Sequence, residues 1–578
     1  MQKFTFTELI KSAKKAKEHS LKVNVFLLGD SSLQFLKQAI VGFGQFYAIN
    51  IEIEESEFDS IDLSITEFMN NEDFQSPDLI CIIENSYTLW LKFSSLSQEQ
   101  KISFANDYLD KLQEQISLLQ SKTNTQLLIS NFIEFDDSVW GSYANKTEQS
   151  FLYQLRKINW GLLNLSVKIM SLNVLDMSSI AQQMGLHQLY DYRLFETASM
   201  IFSIDSLPMI SGRIVDQILT QHGHLKKCIV LDLDNTLWNG VISEDGLSEI
   251  GLGDYNQGKS FVALQKWLKL LKNRGVVLAV CSKNDLETAE IPFKNHPNSI
   301  LKLDDFTVFI ANWESKVDNI KDIQKRLNIA FSSMIFIDDN PFEREIVKEF
   351  IPDITVPQIP DNPEERLPYL MSLNLFETNS FTSEDVERAE LYKIEAQRSQ
   401  YISQFTDTRE YLKSLLMVAK IEGLNEFNIP RFSQLSIRSN QFNLRTLRYQ
   451  PSDLVAIQRD SNRIVYSVSL KDQFGDYGLV SGVVIEIDKF KKSAFIESWF
   501  MSCRVLKRGL EQFVMNELMV QLYQMGIVEV FGEIIQNEKN KLIYQFYQDF
   551  GFEKLDNQWR LMVHQYQKQS AEIQSDKF

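Results

Sequence analysis

The sequence predicts a multidomain α/β chain with a parallel sheet at its centre. Three observations carry that prediction. At 578 residues the chain exceeds what one hydrophobic core usually serves, so several domains are expected. In its middle, short apolar runs alternate with stretches of helical spacing, the pattern of parallel strands joined by helices. Toward its end the pattern changes to alternating strands, followed by an apolar helix. The expected divisions are an α/β domain over 1–215, a second over 216–375, a helical linker over 376–425 and an α+β domain over 426–578.

Hydrophobic residues make up 44% of the chain and charged residues 24%, the balance of a folded, soluble protein. A formal net charge of −18 opposes binding to nucleic acid or to an anionic membrane surface, since both carry the same sign. No run is long and apolar enough to span a bilayer, and residues 1–20 lack an apolar signal core. A cytoplasmic protein with no membrane partner is expected. The cysteines Cys81, Cys228, Cys281 and Cys503 lie far apart and form no paired-cysteine motif, which argues against a disulfide framework and a zinc site.

Residues 23–31 read as a strand closed by the turn Gly29-Asp30-Ser31, followed by a helix over 33–41. Strands at 50–54, 79–83 and 126–129, with helices over 104–119 and 147–169, continue an alternating βα pattern. Gly29-Asp30-Ser31 resembles the nucleophile block of SGNH hydrolases, in which the Ser attacks an ester. The later Asp-x-x-His block of that family is absent, and without a base Ser31 is a poor nucleophile. Ser31 is therefore read as the cap of the next helix in a non-catalytic, SGNH-like domain.

The second domain opens on Cys228-Ile229-Val230-Leu231, which ends in Asp232-Leu233-Asp234-Asn235-Thr236. Alternation puts Asp232 and Asp234 on one side, at the strand edge where open α/β sheets bind ligands. Adjacent carboxylates repel unless a cation or proton lies between them, which points to Mg²⁺ and a carboxylate free to attack phosphorus. The same residue types also build a helix-capping turn, so this stretch alone leaves both readings open. A helix over 258–273 leads to a strand at 276–281 and then Ser282. A third strand, 306–310, precedes Lys316 and a helix to 327; a fourth, 334–337, ends at Asp338-Asp339-Asn340-Pro341. A capping turn accounts for one such strand end, but not for a hydroxyl, a lysine and an aspartate pair after the next three.

The set Asp232-x-Asp234-x-Thr236, Ser282, Lys316 and Asp338-Asp339 resembles, in order and spacing, the four motifs of the haloacid dehalogenase (HAD) superfamily. The resemblance implies a Rossmann-like sheet with Asp232 as nucleophile and Asp234 as general acid/base. It implies Mg²⁺ held by Asp232, the Asp234 backbone carbonyl and Asp338, with Asp339 as a further acceptor. Thr236 and Ser282 would donate to phosphoryl oxygens, and Lys316 would offset their charge. Lys283, Asn284, Asn340, Glu343 and Arg344 stay open between solvated loop or helix-start positions and substrate contacts. The interval from Asp234 to Ser282 leaves no room for a large cap domain, which suits a large or protein-tethered substrate.

Past Pro357, Pro360 and Pro363 the chain turns polar, and 383–420 reads as an interdomain helical linker. Strands at 464–470 and 494–501 lead to Ser502-Cys503-Arg504-Val505-Leu506-Lys507-Arg508-Gly509 and an apolar helix to 525. A strand, an Arg/Gly loop and a helix N-terminus form an anion-binding arrangement, with Arg504, Arg508 and Gly509 as its phosphate-binding residues. With Asn537-Glu538-Lys539-Asn540 and the 546–552 segment Phe-Tyr-Gln-Asp-Phe-Gly-Phe downstream, this part resembles GNAT-type acyltransferases. Lys507 stands where that family prefers the first Gly of its loop, which crowds a pyrophosphate but leaves a single phosphate or a phosphopantetheine arm.

Together with Asn440-Gln441-Phe442-Asn443, these elements resemble the FkbH-like proteins, HAD subfamily IIIC, over nearly the whole chain. That resemblance implies an enzyme that takes a glyceryl unit from 1,3-bisphosphoglycerate and removes phosphate. The glyceryl group would then be loaded as a thioester on an acyl carrier protein for polyketide or related assembly. A thioester calls for a thiol on the route, either Cys281 beside Ser282 or Cys503 beside the Arg/Gly loop. Cys503 is favoured, because Arg504 and the helix N-terminus place positive charge beside it. The alternatives are an HAD-type metabolite phosphatase with an accessory acyltransferase-like domain, and a non-catalytic scaffold that docks carrier proteins.

Overall fold

The computed structural model describes residues 4–15, 19, 21–57, 60–71, 76–254, 257–382, 385, 391–394, 398, 401, 405, 407–537 and 540–576. The chain divides into one unit over 2–219 and another over 220–578. Among the described residues no helix is long and apolar enough to cross a membrane.

In the first unit the strands β1 (Leu21–Gly29), β2 (Ile49–Glu55), β3 (Leu79–Ile83), β4 (Gln126–Ser130) and β5 (Leu172–Leu175) form one sheet. All run parallel, in the order β2-β1-β3-β4-β5. β3, β4 and β1 from Val25 onward are buried along their length, which is why β3 and the middle of β4 and of β1 read as apolar runs. The helix expected over 147–169 begins at Phe151, because the Ser150 hydroxyl accepts the Tyr153 N–H and closes the first turn. Ser31 does not cap the helix Gln34–Phe46. Its hydroxyl is buried without a hydrogen-bond partner, and the Leu33 N–H at that helix start goes to Glu55 Oε1 at 3.2 Å.

The second unit holds two sheets. The first comprises β6 (Cys228–Leu231), β7 (Val277–Ser282), β8 (Phe306–Ala311) and β9 (Met334–Ile337), all parallel, in the order β8-β7-β6-β9. The helix Gly258–Asn273 lays Phe261, Leu264 and Leu268 on one face of it, while Lys316–Leu327 lays Val317, Ile320 and Ile323 on the other. All four strands therefore end at the same edge, with β6 between β7 and β9.

The second sheet is made of β10 (Met417–Glu422), β11 (Arg463–Asp472), β12 (Gly475–Asp488), β13 (Ser493–Met501), β14 (Glu529–Gly532), β15 (Glu553–Leu555), β16 (Gln558–Met562) and β17 (Ile573–Ser575). Their order is β15-β16-β14-β13-β12-β11-β10-β17, with β13 parallel to β14 and β10 parallel to β17. β10 falls in the stretch expected as linker. Its Met417 and Ala419 are buried in the core, and Ala419 stands opposite Leu470 of β11, so burial on one face outweighs the polar look of the segment. Much of 383–406, and Glu538-Lys539, lie outside the described residues.

Candidate active site

The four strand ends of the parallel sheet bring one charged cluster together. Asp232 directly follows β6, and its N–H donates to Ile337 O of β9 at 3.0 Å. Asn235 then adopts a left-handed conformation at φ 53, and its side-chain oxygen accepts the Gly240 N–H at 2.9 Å, which folds the chain back over the strand end. Lys316 opens the helix after β8, which Ser315 caps by accepting the Val317 N–H at 3.2 Å. The Lys316 ammonium lies 2.9 Å from Asp232 Oδ1 and 2.5 Å from Asp338 Oδ2, and all three side chains are buried. Thr236 Oγ1 donates to Asp339 Oδ1 at 3.2 Å and accepts the Asp339 N–H at 3.1 Å.

Oxygens of Asp232, Asp338 and Asp339 lie within 4.8 Å of one another. Burial, then the charge of Asp232, pushes the Asp338 carboxyl up to about 7, and the same two causes raise Asp339. For Lys316, burial alone would lower the ammonium pKa; the carboxylates of Asp232 and Asp338 outweigh it and hold the pKa above its ordinary range. One ammonium thus leaves three converging carboxylates under-compensated. A hard oxygen donor set of this kind fits a divalent cation such as Mg²⁺.

The Asp234 side chain turns away from that trio. Its Oδ1 accepts the Trp238 Nε1–H at 3.0 Å and the Ile242 N–H at 2.9 Å, and its Oδ2 accepts the Asn284 amide at 2.7 Å. The carboxylate is therefore not one of the converging groups, and its expected place among the metal ligands is left to its backbone carbonyl. Burial is the first cause that raises its pKa, with the charge of Asp232 adding to it. Ser282 ends β7 at this edge, and the neighbouring Cys281 thiol donates to Lys316 O at 3.7 Å. Burial pushes the Cys281 thiol far up, so it is a packed core group rather than a reactive one.

Several open positions take structural roles. Arg344 is buried and donates to the backbone oxygens of Asp338 at 2.8 Å and Asp339 at 2.7 Å, fixing the aspartate pair. Lys283 pairs with Glu343 at 2.6 Å, and Asn340 caps the helix Pro341–Phe350. Sequence reasoning missed Arg366, which is buried and donates to the carbonyls of Asn235, Pro360 and Asp361. It braces the left-handed turn from 131 residues away, a separation at which no local pattern gives a signal.

The Arg/Gly loop departs from expectation in one part. Arg508 is almost fully buried, 3.0 Å from Asp472 and with its guanidinium 4.6 Å from the centre of the Tyr477 ring, so it serves this ion pair rather than an external phosphate. Lys507 adopts a left-handed conformation, at φ 62, and Gly509 follows at φ 81 as the cap of the helix Leu510–Gln524. Cys503 is half-buried, and its carbonyl accepts the Asn328 amide at 2.7 Å. Asn328 lies ahead of β9, whereas Asp338 lies after it. Residues 333 and 338, at the two ends of β9, are separated by roughly 15 Å of strand. Cys503 and the carboxylate cluster thus stand at opposite edges of one sheet.

In the first unit, β1 and β3 flank the switch point of a flavodoxin-like strand order, where Asp30 and Asn85 meet. Asp30 accepts the Asn85 N–H at 2.9 Å and the Asn85 amide at 2.8 Å. Burial, then the nearby Glu84, pushes the Asp30 carboxyl up to about 8. A carboxyl whose pKa is higher folded than unfolded releases its proton on unfolding. Its stabilising contribution is full below the ordinary range and is lost as pH rises through the folded value. The first unit should therefore lose about 1 kcal/mol per pH unit between about pH 5 and pH 7, and Asp30→Asn should flatten that slope. Calorimetric melts of the whole chain across that range measure it, and an unchanged slope in the variant would assign the effect elsewhere.

Comparisons with known proteins bear on the family and on the fold. The family described as FkbH, N-terminal domain, matches residues 24–219. A solved structure from Bacteroides fragilis, the N-terminal part of protein BF1531 containing a phosphatase domain complexed with Mg, is 41% identical with a TM-score of 0.62. The match covers 65% of this chain and 100% of that one. The ribosomal-protein-S18-alanine N-acetyltransferase of Escherichia coli is 11% identical over 25% of this chain and 94% of its own, with a TM-score of 0.20. A spermidine N-acetyltransferase from Vibrio cholerae, solved with CoA and spermine, is also 11% identical, over 25% of this chain and 96% of its own, at 0.21. Likeness at that level says nothing of activity. No curated protein matches the sequence. Residues 24–219 thus belong to the FkbH N-terminal domain family, and over 65% of its length the chain belongs with the Bacteroides phosphatase-domain protein, which it covers from end to end.

Proposed function

We propose that this chain is an Mg²⁺-dependent, HAD-type enzyme that removes phosphate from a three-carbon donor and passes the glyceryl unit to an acyl carrier protein. The observation that carries the proposal is the convergence of Asp232, Asp338 and Asp339 on Lys316 and Thr236 at one sheet edge. Mg²⁺ bound by the three carboxylates would offset negative charge developing on the phosphoryl oxygens. An Asp232 oxygen attacks phosphorus, the bond to the leaving oxygen breaks, and Asp234, on rotating out of its bonds to Trp238, Ile242 and Asn284, supplies that oxygen with a proton. Asp234 then takes a proton from the water that attacks the aspartyl-phosphate, which frees inorganic phosphate and restores Asp232. Its raised pKa supports a proton-bearing role. Thr236 and Ser282 orient the phosphoryl oxygens, and Lys316 balances their charge.

In 1,3-bisphosphoglycerate the acyl-phosphate carbonyl is the atom a thiol attacks, with phosphate leaving, and the remaining phosphate ester is the bond that Asp232 would cleave. Incubating the whole chain with Mg²⁺, 1,3-bisphosphoglycerate and a phosphopantetheinylated carrier protein should add a glyceryl mass to the carrier. Phosphate release with no mass shift supports the second reading, an HAD-type metabolite phosphatase. The separation of Cys503 from the carboxylate cluster across the sheet favours that reading over a direct hand-off. A covalent glyceryl adduct that persists in Cys503→Ala would remove Cys503 from the route.

A further inference from the structure

The helix Phe151–Lys168 of the first unit carries two apolar faces. Phe151, Leu155, Ile158 and Leu162 are buried in the core of that unit. At 3.6 residues per turn, Trp160, Leu163 and Val167 stand on the opposite side, and Met170 follows just past the last turn. These four are 67%, 47%, 84% and 60% exposed. Their intervals of three, four and three residues are those of a coiled-coil seam, narrower than a face that rests on a sheet. Val139, Trp140 and Tyr143 are exposed as well, and Arg156 ties their segment to the helix by donating to Asn145. The seven side chains together expose on the order of 800 Å², which is one side of a standard protein–protein interface and more than monomers usually leave open.

Charge and register point to the occupant. From Gln149 to Leu175 the chain has no acidic residue, although 77 of its 578 residues are Asp or Glu. Two copies of a chain with net charge −18 repel each other, and they do so least across an acid-free face. The positions that flank the seam are Lys157, Asn159, Asn164 and Ser166, and a partner of opposite charge would be selected by charged flanks rather than by these. The seam also matches itself. In an antiparallel pair centred on residue 165, Leu163 meets Val167 of the second copy and Trp160 meets its Met170, so each layer is apolar. The two Lys157 side chains then stand roughly 24 Å apart and the helix dipoles oppose, whereas a parallel pair would bring the lysines together.

We infer that this face docks a second copy of the chain, helix against antiparallel helix, and that the protein is a twofold dimer joined through its first unit. A closed, self-complementary contact of this kind uses the same patch on both copies. The inference does not depend on phosphoryl transfer at Asp232.

Sedimentation equilibrium of the whole chain at about 10 µM should give twice the chain mass, with a dissociation constant at or below about 1 µM, the weak end for an interface of this size. Val167→Glu should raise that constant at least about a hundredfold, because it buries an unpaired charge at each of two equivalent contacts. Val167 is too exposed for the change to disturb the core, so the circular dichroism spectrum should stay native. Leu163→Lys should weaken the dimer in the same way. Mixing the two variants should restore dimers, since the introduced carboxylate then faces the introduced ammonium at one contact while Leu163 and Val167 keep the other. A native chain that is monomeric at about 10 µM overturns the inference, as does dimerisation undiminished in both variants. Variants that stay monomeric when mixed overturn the antiparallel pairing.

Discussion

Asp232→Asn is expected to lower phosphate release at least about a thousandfold, because a carboxamide is neither the attacking oxygen nor an anionic ligand for a cation. The same change should not destabilise the fold. Asp232 repels Asp338 and Asp339 and contributes to the raised pKa of each, so removing its charge relieves the cluster in the absence of a cation. Lys316 keeps Asp338 as a partner at 2.5 Å. Thermal melts with and without Mg²⁺ separate the two effects: the variant should melt at or above the native temperature without the ion, and gain less from adding it. Turnover that survives the substitution would refute Asp232 as nucleophile.

Arg508→Met should have the largest effect on stability, about 3–5 kcal/mol, because it strips a buried carboxylate of its cation. The Asp472 side chain is fully buried, and it receives the Tyr477 hydroxyl at 2.9 Å as well as Arg508 at 3.0 Å. The unpaired carboxylate is the source of the loss, so adding Asp472→Asn to the Met variant should recover part of it. Urea unfolding of the single and double variants measures this coupling. Additive losses would show that the pair does not act as a unit.

The phosphate-binding role first expected of Arg508 shows why part of the site is not legible in the sequence. An arginine in a loop before a helix has the same local appearance whether it faces an anion outside or an aspartate inside. Its partner here lies 36 residues earlier, on β11. Arg366 is a stronger case, since its role is to brace a carbonyl 131 residues away. Asn284 lies beside the recognised Ser282, yet its bond to Asp234 crosses 50 residues and exists only once β6 and β7 are neighbours. Strand β10 was hidden for a related reason, because a polar segment that buries alternate residues against a distant sheet shows no strong local period.

By itself the sequence determined the parallel order of polar strand ends and the residues that stand on them. Each apolar run and its terminus are local facts, and buried parallel strands allow few other readings. Only the tertiary structure decided which of those groups converge, which turn aside as Asp234 does, and at which edge of the sheet Cys503 lies. Those outcomes depend on hydrogen bonds and charge pairs between segments far apart in the chain, and their partners are set by packing rather than by spacing.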